Sequence, residues 1–201
     1  MKAGFSNIAA FCVNLAVAIM ALRGVIMSYV NYKWGTFLYY TVLSNLFAAI
    51  ACLLVCAFQL SGNVPQWVYG VQYAAVCCLT VTFLVVIFVL APAAGEHGYR
   101  TMLLKGDMLY HHLLCPVLIL VSFLLLERPT LPVHYAFFAM LPTLLYGTIT
   151  MILNILRVLK GPYPFLYVYE QPVYMSILWY IIIIGGSYLL ALGIRALTNL
   201  K

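Results

Sequence analysis

Two places in this chain hold residues that could do chemistry. One is Thr41, in the run Tyr40-Thr41-Val42-Leu43-Ser44-Asn45. The other is the pair His111-His112, in Tyr110-His111-His112-Leu113-Leu114-Cys115-Pro116. Both lie inside long apolar stretches. Hydrocarbon penalises a polar side chain without a partner, so polar residues placed there tend to be paired and to mark sites. A hydroxyl and an imidazole are the groups from which a nucleophile and its general base are made.

Composition sets the elements that must position them. Of 201 residues, 66% are hydrophobic and only 7% charged, and the mean hydropathy is +1.08. A soluble domain carries about 25% charged residues, so the chain reads as an integral membrane protein: one all-α domain, a bundle of six transmembrane helices. Ten Lys+Arg against four Asp+Glu leave a net charge of +6. There is no basic run, so this is loop charge bearing on orientation and not a nucleic-acid surface. The six cysteines all fall in apolar runs without C-x-x-C spacing and read as small buried hydrophobes. Lys2 and the apolar run after it imitate a signal peptide. That run is too long for one and contains Arg23, so it reads as the first span.

A helix needs about 20 apolar residues to cross a bilayer. The stretches 5–30, 38–60, 67–92, 108–126, 136–157 and 173–197 meet that length. The breaks between them carry Lys33 and Gly35, then Ser61-Gly62-Asn63-Val64-Pro65, the long polar stretch Ala91 to Asp107, Glu127-Arg128-Pro129, and Lys160-Gly161-Pro162-Tyr163-Pro164. Proline and glycine end helices in just this way. Six spans put both termini on one side. Counting Lys and Arg in the two sets of loops gives four against five, which leaves the sign of the topology open.

The polar residues fall towards one membrane face, the face of the first, third and fifth loops. Thr41 is about one turn into span two from that face, and His111 and His112 about one turn into span four. Arg23 lies about two turns short of it in span one. Thr80 and Thr82 occupy the same half of span three, and Asn154 and Arg157 close span five there. A depth of roughly 5–15 Å below one surface would suit them all. Thr41 and Asn45 share a helix face, as do Asp107 and His111. Pro116 deprives the His112 carbonyl of its helical donor and should loosen the helix there.

Each of these residues also has a structural role open to it. A membrane threonine often bonds back to its own helix, and Asn154 could simply bridge helices. Adjacent histidines on a helix point about 100° apart, so a shared metal or haem is not expected. No G-x-S-x-G, H-E-x-x-H or P-loop pattern occurs. No cofactor is called for.

Four segments together resemble a known group. They are Phe37-Leu38-Tyr39-Tyr40-Thr41-Val42-Leu43-Ser44-Asn45-Leu46, Leu79-Thr80-Val81-Thr82-Phe83 through Leu90-Ala91-Pro92, His112-x-x-x-Pro116, and Gly161-Pro162-Tyr163-Pro164-Phe165-Leu166. In order and spacing they are similar to bacterial six-span relatives of the animal androgen-induced and androgen-dependent TFPI-regulating proteins. The resemblance covers most of the chain. It implies a hydrolase of fatty acid esters of hydroxy fatty acids in a bacterial cytoplasmic membrane, with an intramembrane threonine near the start of span two and a histidine near the start of span four. The threonine maps onto Thr41. The bacterial His-x-x-x-Pro spacing selects His112, while the animal spacing would select His111. The chain departs from the group at Ser122, where an acidic residue is usual, and at Tyr167, where an aspartate is usual.

The expected chemistry is therefore threonine-based ester hydrolysis through an acyl-enzyme, with His112 or His111 as base. Asn45 could donate to the oxyanion and Arg23 could hold a substrate carboxylate. Asp107 would orient His111 if that is the base. Ser44, Thr82, Asn154, Arg157 and Tyr163 are further candidates for oxyanion or substrate contacts. The partners expected are a lipid or fatty-acyl ester and the bilayer. A small transporter or fatty-acid-binding protein could use the same cluster, and a lipid acyltransferase would differ only in replacing water with a lipid acceptor.

Overall fold

A computed structural model describes the backbone of residues 2–200 and the side chains of residues 7–200. Seven helices follow in order: α1 (Lys2–Tyr32), α2 (Tyr40–Leu60), α3 (Gln66–Ala93), α4 (Gly98–Leu104), α5 (Tyr110–Glu127), α6 (His134–Ile155) and α7 (Val173–Asn199). All but α4 are long and apolar enough to span a membrane, so this is a six-span, multi-pass membrane protein. No strand occurs among the described residues. The span ends fall within three residues of those expected.

Small residues let the first three helices approach closely. Ala18 and Ala21 of α1, Ala48, Ala49 and Ala51 of α2, and Ala75 of α3 are all buried. In a bilayer, where water supplies no drive between helices, such close packing is the main attraction. Helix α3 is the centre, packing on α2, α5, α6 and α7. Tyr73 of α3 stacks on Phe123 of α5 at 5.8 Å. Helices α6 and α7 are mostly outward-facing, as befits a lipid-exposed flank.

At the end away from the candidate site, Asn14 of α1 donates to Glu127 at the end of α5. Arg128 donates to the Leu200 carbonyl and Arg195 to the Leu131 carbonyl, each at 2.8 Å. These contacts draw the C-terminal end of α7 and the loop after α5 together on one face.

The polar stretch Ala91 to Asp107 holds α4, seated against the end of α3. A Cβ on Gly98 would meet the Ala91 carbonyl oxygen at 1.9 Å, so only glycine permits that seat. Three expectations need correction. Helix α6 stops at Ile155, and Arg157 lies beyond it with φ +59°. Cys12 is exposed on the outer face, though the other five cysteines are buried. Helix α5 is not merely loosened. It takes π-helical form over Tyr110–Leu114, the segment carrying both histidines. In that register Pro116 is the residue that would have bonded the His111 carbonyl, not that of His112. Asn45 of α2 donates to that carbonyl instead, at 3.3 Å.

Candidate active site

Thr41 is the second residue of α2, and its place at a helix start decides how its side chain behaves. Thr80, Thr82, Thr148 and Thr150 all donate to the carbonyl four residues earlier in their own helices. Thr41 has no helical carbonyl four residues behind it, because residues 33–38 form a 3₁₀ turn. Its hydroxyl reaches across the bundle to other elements.

Two groups meet it. His112 Nε2 is 3.4 Å from Thr41 Oγ1, and the Tyr163 hydroxyl is 3.3 Å away. On its far side, His112 Nδ1 is 2.7 Å from the Met102 carbonyl oxygen of α4. A carbonyl can only accept, so Nδ1 carries the proton and Nε2 presents its lone pair to the threonine hydroxyl. The result is a threonine–histidine–carbonyl relay. The 3.4 Å separation is loose for proton transfer and must close by about 0.5 Å, as catalytic contacts commonly do when substrate arrives.

Tyr163 comes from the loop before α7. Its hydroxyl also accepts the Thr41 backbone N–H at 3.2 Å, one of the donors that a helix start leaves without an internal partner. The phenol is thus pinned at the positive end of α2. Burial pushes its pKa above the ordinary tyrosine range, so it stays protonated and able to donate. The loop is held from below. Asn154 donates to the Gly161 carbonyl at 2.7 Å and accepts the Gly161 N–H at 2.9 Å. Gly161 has φ +99°, a conformation that disfavours any other residue.

His111 points elsewhere. Its Nε2 is 3.1 Å from Ser28 Oγ of α1, and Ser28 donates to Asp107. Its ring fits against Gly24, where a Cβ would meet His111 Cε1 at 2.8 Å. Asp107 therefore does not orient His111 directly, because Ser28 stands between them.

The other expected residues divide clearly. Asn45 donates to the Thr41 and His111 carbonyls at 2.8 and 3.3 Å; both amide protons are spent, so it braces the site and has none for an oxyanion. Ser44 and Thr82 touch at 3.2 Å, and each donates to a helix carbonyl, of Thr41 and Cys78 respectively. They stitch α2 to α3. Asn154 acts only through the Tyr163 loop. Arg157 is exposed and lies over the Tyr169 ring at 4.5 Å. Arg23 is also exposed, 5.3 Å from the Tyr110 ring on the outer face, so it is no carboxylate anchor at Thr41. A long cationic side chain near a membrane face gains more by reaching the interface than by turning inward. Ser122 bonds Glu127 at 3.2 Å, far along α5 from His112, and has no contact with this relay.

Thr41 and Tyr163 sit where two cavities meet. One, of about 360 Å³, is lined by Ser28, Thr36, Met102, Asp107, both histidines and Tyr163. The other is a narrow apolar cleft bounded by α3, α6 and α7, with Val81, Met151, Phe165, Trp179 and Ile183 on its walls. Sequence reasoning missed Ser28, Gly24, Thr36 and the Met102 carbonyl. A lone span serine carries little signal, and a backbone carbonyl carries none.

No protein-family model matches this chain, and neither does any curated protein or solved structure.

Proposed function

We propose that this protein is an intramembrane lipid esterase with Thr41 as nucleophile and His112 as general base. The observation that carries the reading is the relay from Thr41 through His112 to the Met102 carbonyl, placed at the junction of a polar cavity and an apolar cleft. An acyl chain suits the cleft and the alcohol portion suits the polar cavity, which sets the ester carbonyl beside Thr41 Oγ1.

In the first half-reaction Thr41 Oγ1 bonds the ester carbonyl carbon while His112 Nε2 takes the hydroxyl proton. The tetrahedral oxyanion gains the Tyr163 O–H and the positive end of α2. As the C–O bond to the alcohol breaks, His112 returns the proton to the leaving oxygen. Water then enters from the polar cavity, loses a proton to His112 and attacks the acyl-threonine. The fatty acid leaves and Thr41 regains its proton. The resemblance to the androgen-induced protein group supports the same roles and a bacterial cytoplasmic membrane as the setting.

The test is labelling of the detergent-purified protein with a fluorophosphonate probe, followed by mapping of the modified peptide. Modification on Thr41, lost in His112→Ala and kept in His111→Ala, is the expected result. A folded protein that stays unlabelled but binds oleate stoichiometrically would instead favour a fatty-acid-binding or transport role. Products carrying the acyl group on an added lipid alcohol would favour acyl transfer.

Two further outcomes follow from the geometry. Tyr163→Phe removes the oxyanion donor while keeping the ring's stacking on Phe165; kcat should fall about 10²-fold with KM little changed. Gly98→Ala lies outside the cavity, but its Cβ would force α4 off Ala91 and displace the Met102 carbonyl. A fall of about 10–100-fold in kcat is expected, with the thermal unfolding midpoint recorded beside it to separate misplacement from unfolding. Unchanged turnover in Gly98→Ala would show that the carbonyl does not orient His112.

A further inference from the structure

The polar cavity is chemically one-sided. Asp107 lines it, yet no Lys or Arg does so among the described residues. The one ion pair among them, Lys160 with Glu170, is exposed on the loop face. Of the two cations that the sequence placed at this depth, Arg23 turns outward onto Tyr110 and Arg157 lies over Tyr169. The backbone donor that could have received an anion, Thr41 N–H, is already given to Tyr163. A carboxylate entering this cavity would meet a like charge with no Lys or Arg to offset it.

The cavity is not apolar either. Besides Asp107 it presents Ser28, Thr36 and two imidazoles. Thr36 is fully buried and its Oγ1 lacks a hydrogen-bond partner. A buried hydroxyl without a partner is costly, and a ligand hydroxyl would relieve it. The volume of about 360 Å³ is far above the roughly 10–15 Å³ that one water needs, so a group of several heavy atoms fits.

We infer that the alcohol half of the substrate is uncharged and hydroxyl-bearing, as in an acylglycerol, and is not a carboxylate-bearing hydroxy fatty acid. This rests on the esterase reading. Asp107 and Thr36 are its specificity-determining residues: Asp107 accepts from a free hydroxyl of the polyol and repels a carboxylate, and Thr36 supplies a second hydrogen-bonding hydroxyl. Neither takes part in bond making.

The experiment compares three oleate esters on the purified protein: 1-monooleoylglycerol, the oleate ester of 12-hydroxystearate, and ethyl oleate as a reference without a polar group. The expected kcat/KM for monooleoylglycerol exceeds that for the hydroxystearate ester by about tenfold or more, a gap that one like-charge contact of several ångströms can produce. Asp107→Asn should narrow that gap by improving the carboxylate-bearing ester. Thr36→Val should lower the ratio of monooleoylglycerol to ethyl oleate turnover several-fold. A 1-O-oleyl glycerol ether, which cannot be cleaved, should raise the unfolding temperature of wild type more than 12-hydroxystearate does.

Equal or better cleavage of the hydroxystearate ester, with Thr41-dependent cleavage of ethyl oleate intact, overturns this inference and leaves the esterase reading standing. So do ratios unmoved in both variants. Failure to cleave any of the three overturns the esterase reading itself and this inference with it.

Discussion

Thr41→Ala is expected to lower kcat for ester cleavage by about 10⁴-fold or more, with KM changed by less than about threefold. The hydroxyl makes its bond to the substrate only during reaction, so its removal leaves the acyl cleft and the polar cavity able to bind. Thr41→Ser supplies the discriminating control. It keeps the oxygen that contacts His112 and Tyr163 and drops only the methyl, so turnover within about tenfold of wild type is expected. Steady-state rates with ethyl oleate, paired with intact-mass detection of the acyl-enzyme, read both variants. Acyl adducts should form in wild type and Thr41→Ser alone. An adduct of full intensity in Thr41→Ala would place the nucleophile elsewhere, with Ser28 the first residue to examine. Ser28 is the weaker candidate because its proton is already committed to Asp107.

The second large effect separates two neighbours. His112→Ala should reduce kcat by about 10²–10⁴-fold, the range for loss of a positioned general base. His111→Ala should cost less than about tenfold. Only His112 has a ring nitrogen at Thr41 and the opposite nitrogen fixed by a carbonyl. His111 spends its Nε2 on Ser28 and packs against Gly24. The second-order rate of fluorophosphonate modification gives the same comparison without a lipid substrate, since the probe needs only an activated nucleophile. A larger loss in His111→Ala than in His112→Ala would reverse the assignment of base.

The count of spans, their ends and the shared depth of Thr41 with the histidines were all legible in the residues. Their physical basis is one-dimensional. Hydrocarbon thickness sets a length, proline and glycine mark the ends, and a rise of about 1.5 Å per residue converts position into depth. The start of α2 at Tyr40 was not among them: span two was expected from residue 38 with Thr41 about one turn inside it, and only the 3₁₀ turn over Lys33–Leu38 leaves Thr41 as the second helical residue, free of back-bonding.

Direction around each helix was a different matter. Periodicity relates a side chain to others on its own helix but says nothing of which neighbour stands opposite. Thus Arg23 and Thr41 have similar depth yet face lipid and cavity respectively. The π-helical turn at Tyr110–Leu114 also shifts the phase of α5, so His111 faces α1 while His112 faces α2. Asn45, expected to serve an oxyanion, gives one proton to the Thr41 carbonyl of its own helix and the other to the His111 carbonyl, which only the packed bundle brings within reach. The group that sets the tautomer of His112 is a main-chain oxygen of α4, identical in chemistry to every other carbonyl in the chain. Sequence alone determined that a hydroxyl and two imidazoles lie at one level of a six-helix bundle. Tertiary packing decided which imidazole meets the hydroxyl, because that depends on contacts between helices far apart in the chain.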